Sequence, residues 1–131
     1  MAYYWEAHRK KYTSRRLIWY GDAPTEIFWS NYWQKKIDKA YYRNLDKVNL
    51  ENSYLGRILL KALLPNDKII EAGCGAGNWV AILKNHGFGK IQGIDNSPDL
   101  VKRIKDINPK MDISLGDALS IQSENNQFNA Y

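Results

Sequence analysis

The sequence predicts an α/β fold built on a doubly wound parallel sheet, and three observations carry that expectation. From residue 68 onward, short apolar runs alternate with stretches of helical period. The connections between them are short, which implies right-handed crossovers and parallel strands. A turn with glycine at every second position, 73, 75 and 77, follows the first apolar run directly.

The elements follow in order. Residues 1–23 show no clean period: Arg9, Lys10, Lys11, Arg15 and Arg16 sit among Tyr3, Tyr4, Trp5, Tyr12, Trp19 and Tyr20. From Pro24 to about Arg43 a helix is expected, with Ile27, Phe28, Trp29, Tyr32, Trp33, Lys36 and Ile37 forming a wide stripe. A second helix is marked by Tyr54, Leu55, Ile58, Leu59, Ala62 and Leu63, and Pro65 stops it. Lys68-Ile69-Ile70-Glu71-Ala72 reads as a buried strand. The helix from Asn78 to His86 turns Trp79, Val80, Ile82 and Leu83 inward and ends at Gly87. Ile91-Gln92-Gly93-Ile94-Asp95 is the second strand of the sheet. Ser97-Pro98 opens the next helix, with Ser at the N-cap and Pro where a missing N–H costs nothing. Leu100, Val101, Ile104 and Ile107 form its apolar face, and Asn108-Pro109 ends it. Residues 112–115 are a third strand, 120–127 a polar surface loop, and Phe128-Asn129-Ala130-Tyr131 the start of a fourth strand.

Composition narrows the class. A chain of 131 residues holds one domain, and 44% hydrophobic residues is too many for a disordered one. The single Cys excludes an internal disulfide framework and a Cys-based zinc cluster. No apolar run reaches the roughly 18 residues of a membrane span. The opening MAYYWEAHRKKY lacks the apolar core of a secretory signal, so the expectation is a cytoplasmic protein with no membrane contact. Charge is unevenly spread: residues 1–64 hold 12 Lys+Arg and 6 Asp+Glu, and residues 65–131 hold 7 and 8. The aromatic residues follow the same division. Residues 1–49 therefore read as an aromatic, basic, helical segment on the cover or substrate side, and residues 50–131 as the binding domain. Basic charge interleaved with aromatics also suits single-stranded nucleic acid, although no RNA-binding signature accompanies it here.

The chemistry concentrates in Glu71-Ala72-Gly73-Cys74-Gly75-Ala76-Gly77. A glycine turn between strand and helix lets a ligand approach bare backbone at a helix start that favours negative groups. The spacing differs from the G-x-G-x-x-G of dinucleotide sites, and Glu71 would repel a pyrophosphate while suiting a ligand with an amino group. The Gly-Lys-Ser/Thr of a phosphate-binding P-loop is absent. Asp95 ends the second strand, followed by Asn96, and Asp117 and Ala118 follow the third. Each aspartate has a local alternative, Asp95 as a cap of the turn before Ser97 and Asp117 in a tight turn after Gly116. Cys74 reads as a small residue filling the loop, and His86 as a partner of the local helix dipole. His8 has no assignable role.

These residues resemble the class I S-adenosylmethionine-dependent methyltransferases, over about residues 50–131. Glu71-x-Gly73-x-Gly75-x-Gly77 looks like the first motif of that family. Asp95 matches the acid that binds the ribose hydroxyls, and Gly116-Asp117-Ala118 resembles the motif that reads the adenine edge. Phe128-Asn129 departs from the family's usual Phe-Asp. The resemblance implies a Rossmann-like sheet and S-adenosyl-L-methionine as cofactor. Glu71, Gly73, Cys74, Gly75, Gly77, Asp95, Asn96, Asp117 and Ala118 are then the binding residues. It assigns no metal and no catalytic residue.

The family's sheet has seven strands in the order 3-2-1-4-5-7-6, and this sequence stops as the fourth begins. The expectation is the cofactor-binding N-terminal half of a methyltransferase, from a fragment or a truncated gene, with an open sheet edge prone to self-association. A small organic acceptor is expected, because aromatic lids such as Trp29, Tyr32 and Trp33 shield a reaction from water. The alternatives are an RNA methyltransferase using the basic N-terminus, and a non-catalytic cofactor-binding product.

Overall fold

A computed structural model describes residues 9–13, 16–20 and 26–131. His8, Arg15, Pro24 and the aromatic residues 3–5 lie outside the described residues. Strands β1 (Arg9–Thr13) and β2 (Arg16–Tyr20) pair antiparallel, with Lys10 opposite Trp19 and Tyr12 opposite Leu17. The segment read as helical thus begins with a β-hairpin.

The expected helix from Pro24 to Arg43 is instead two helices, α1 (Glu26–Lys36) and α2 (Lys39–Leu45). Asp38 makes the break: its backbone is extended, and its carboxylate accepts the Tyr41 N–H at 2.7 Å, an N-cap strong enough to restart the helix. Ile37, at the bend, is buried. After a 3₁₀ turn at Leu50–Asn52, α3 (Tyr54–Ala62) is capped by Ser53, which accepts the Gly56 N–H at 2.8 Å.

The sheet consists of β3 (Ile69–Ala72), β4 (Ile91–Asp95) and β5 (Ile113–Leu115), all parallel in the order β3-β4-β5. Helices α4 (Asn78–Asn85) and α5 (Pro98–Ile107) form the crossovers. Gly87 has φ +92°, a left-handed C-terminal turn that suits glycine, and Ser97 caps α5 as its sequence suggests. The anticipated fourth strand is a bridge from Ala130 to Ile69, parallel and on the free side of β3. Asn129 closes this corner: its N–H donates to the Lys68 carbonyl at 2.8 Å and its Oδ1 accepts the Lys68 N–H at 2.9 Å. The strand order is therefore the 3-2-1-4 part of the expected sheet.

Val80, Ile91, Leu100, Ile104, Ile113 and Leu50 are fully buried between sheet and helices. Gly93 permits a close approach, since a Cβ there would come within 3 Å of both Cys74 Sγ and Val80 Cγ2. In contrast, Tyr54, Leu55, Ile58 and Leu60 of α3 are exposed, and of its apolar series Leu59 and Leu63 meet the core. No described helix is long and apolar enough to cross a membrane.

Candidate functional site

Gly73, Gly75 and Gly77 all have positive φ, at 72°, 53° and 69°. Left-handed backbone at alternate positions explains the G-x-G-x-G pattern, because side chains rarely adopt it. The three glycines otherwise serve different ends. At Gly73 nothing lies within 4 Å of where a Cβ would stand, so this backbone is open to a ligand. A Cβ at Gly75 would come within 2.9 Å of Trp33 Nε1, so the indole of α1 lies directly on the loop. A Cβ at Gly77 would overlap Ile113 Cδ1, which makes Gly77 a packing residue at the start of α4.

The loop is tied to the end of β4. Gly73 and Cys74 donate their N–H groups to the Ile94 carbonyl at 2.8 and 2.9 Å. Asp95 then reaches back: its Oδ2 accepts the Gly75 N–H at 2.8 Å, and its Oδ1 accepts the Ser97 N–H at 3.1 Å. The capping alternative for Asp95 is thus realised, without excluding a ligand role. Each carboxylate oxygen has two lone pairs, so one acceptor position on each remains.

Glu71, the penultimate residue of β3, lies beside this aspartate. Its Oε2 accepts the Val80 N–H at 3.3 Å. Burial pushes the carboxyl pKa up to about 7, and the nearby Asp95 charge pushes in the same direction. Burial also raises the Cys74 thiol, which stays protonated and packed in the loop.

A cavity of about 590 Å³ opens at this end of the sheet. Of the residues expected to bind, Glu71, Gly73, Cys74, Gly75, Asp95 and Asn96 line it. Gly77 does not, for the packing reason above. Asp117 and Ala118 do not line it either. Asp117 borders a separate cavity of about 190 Å³ beside Gly116 and Ile94, and its Oδ1 accepts the Leu119 N–H at 2.8 Å. The local turn foreseen for Asp117 is present. Trp29, Trp33, Asn78, Trp79, Ser97 and Leu100 complete the main cavity. Trp29 and Trp33 belong to the foreseen aromatic stripe, whereas Trp79 was expected to face inward and Asn78 had no expected role. His86 lies at the end of α4, with Nδ1 2.8 Å from the Ile82 carbonyl.

Two further contacts brace the loop from α2. The Tyr42 hydroxyl donates to the Ala76 carbonyl at 2.9 Å, and the Tyr41 hydroxyl donates to Asn78 Oδ1 at 2.6 Å. Burial raises the pKa of both phenols, so they remain donors.

A parallel sheet whose first strand runs into a glycine turn, with an acid at the end of the next strand, defines a Rossmann-like α/β domain. Residues 69–131 match the family model described as a methyltransferase domain. Over that stretch the chain is similar to the methyltransferase-domain family, in keeping with a class I methyltransferase domain.

Proposed function

We propose that this domain binds S-adenosyl-L-methionine and serves methyl transfer to a small organic acceptor. The observation that carries the reading is the pairing of Asp95 with the open Gly73 backbone in one cavity. Asp95 is held by two N–H donors and keeps acceptor capacity for two neighbouring ribose hydroxyls. Glu71 stands where an ammonium would be welcome, since a nearby cation would favour its charged form over the buried neutral one. Gly73 leaves room for the ligand chain to lie on the backbone.

When bound, the cofactor supplies a methyl group activated by its sulfonium. The protein's part is positioning, because in-line displacement asks chiefly for correct distance and angle. Trp29, Trp33 and Trp79 wall the cavity with aromatic surface that excludes water and suits a small apolar acceptor. Asp117 and Ala118 would read the adenine from beyond Gly116, whose N–H donates to the Asp95 carbonyl at 3.0 Å.

Titration calorimetry with S-adenosylhomocysteine and with NAD tests this reading. Binding of the first and no heat from the second is expected. Tight NAD binding with no response to S-adenosylhomocysteine would overturn it.

A further inference from the structure

Asn78 opens α4 and lines the main cavity, yet its side-chain oxygen is already committed to the Tyr41 hydroxyl at 2.6 Å. A primary amide has one acceptor end and one donor end. Oδ1 already has a donor in Tyr41, whereas Nδ2 has no acceptor among the described residues, so the NH2 is the unsatisfied end. Other cavity groups complement this: Glu71 and Asp95 are acceptors, and the first turn of α4 carries no acidic residue. The cavity thus has acceptors on the β3 and β4 side and an amide donor on the α4 side, where the helix dipole adds to a preference for negative charge.

We infer that Tyr41 is a positioning residue: it orients the Asn78 amide so that its NH2 group binds the carboxylate of the ligand's amino-acid portion. The inference rests on the cofactor reading above and adds to it the means by which the carboxylate is selected. Without the Tyr41 hydroxyl the amide is free to turn over and present its oxygen, which would repel that carboxylate. The contact also links α2 to the cavity across 37 residues of sequence. Tyr42, its neighbour, holds the loop backbone at Ala76 and leaves the choice of ligand to Tyr41 and Asn78.

The test compares two probes, S-adenosylhomocysteine and its decarboxylated analogue, which keeps the ammonium and lacks only the carboxylate. Asn78→Ala should weaken the first by about tenfold and the second by less than about twofold, the scale of one charge-assisted hydrogen bond. Tyr41→Phe should give a smaller loss with the same selectivity, and adding it to Asn78→Ala should cost nothing more. Asn78→Asp retains an acceptor for Tyr41 but cannot donate, so it should show the selective loss even if Tyr41→Phe fails to fold. Equal weakening of both probes, or additive effects of the two substitutions, would overturn the positioning role and leave the cofactor reading intact. A wild-type chain that binds neither probe would overturn both.

Discussion

The Asp95 carboxylate accepts the Gly75 N–H at 2.8 Å, bridging the end of β4 to the middle of the glycine loop. One side chain therefore shapes the loop and, on the proposed reading, holds the ligand. Asp95→Ala should lower affinity for S-adenosylhomocysteine by roughly 1–3 kcal/mol, from the lost charged acceptor. Asp95→Asn, which can still accept the Gly75 N–H, should keep more of the fold's stability while losing affinity. Calorimetry alongside thermal melting separates the two effects, and unchanged affinity in both variants would remove Asp95 from the site.

Glu71 makes stability depend on pH in a defined direction. Below about pH 4.5 its carboxyl is protonated in folded and unfolded chains alike. As pH rises from there to about 7, the unfolded chain releases its proton first, so stability falls across that window. The loss is on the order of 3 kcal/mol. Glu71→Gln should abolish that component, matching wild type in acid and exceeding it in melts at mildly alkaline pH. Parallel melting curves of the two proteins across the window would show that the buried charge carries no such cost.

The glycines of the loop should respond unequally to alanine. Gly77→Ala combines a positive φ of 69° with overlap of Ile113, and should destabilise by about 2–4 kcal/mol. Gly73→Ala meets open space and bears only the backbone strain, roughly 1–2 kcal/mol, while its new methyl group obstructs the ligand. Denaturant midpoints give the first comparison and ligand titration the second. Equal destabilisation at both positions would contradict the distinct surroundings of the two residues.

Among the described residues, the free side of β3 carries the Ala130–Ile69 bridge and the Asn129–Lys68 hydrogen bonds at one corner, and α3 exposes Leu55, Ile58 and Leu60. An apolar strand with an open edge is a template for pairing with another chain. We expect the 131-residue chain to self-associate as its concentration rises, visible by light scattering. A chain that stays monomeric at high concentration would show that this edge is protected.

Much of the α/β domain was legible in the sequence because its determinants are local. Short apolar runs around Ile69, Ile94 and Ile113 mark strands, Ser97-Pro98 marks a helix start, and glycine at every second position marks a loop in left-handed conformation. Each of these is a statement about neighbours a few residues apart, which spacing records directly. The cap at Asp38 was not read, because the aromatic stripe running past it suggested one continuous helix where α1 and α2 break.

What only the tertiary structure decided are the contacts that cross the chain. Trp33 lies on Gly75, Tyr42 holds Ala76 and Tyr41 holds Asn78, each pair more than 30 positions apart in the chain. No period in the sequence relates such positions, because their meeting depends on how α1 and α2 dock at the end of a sheet formed elsewhere. The same holds for the protonation of Glu71, which follows from the burial and charge that packing creates around it. It also holds for the split between Asp95 and Asp117: both end or follow a parallel strand, but only Asp95 faces the main cavity.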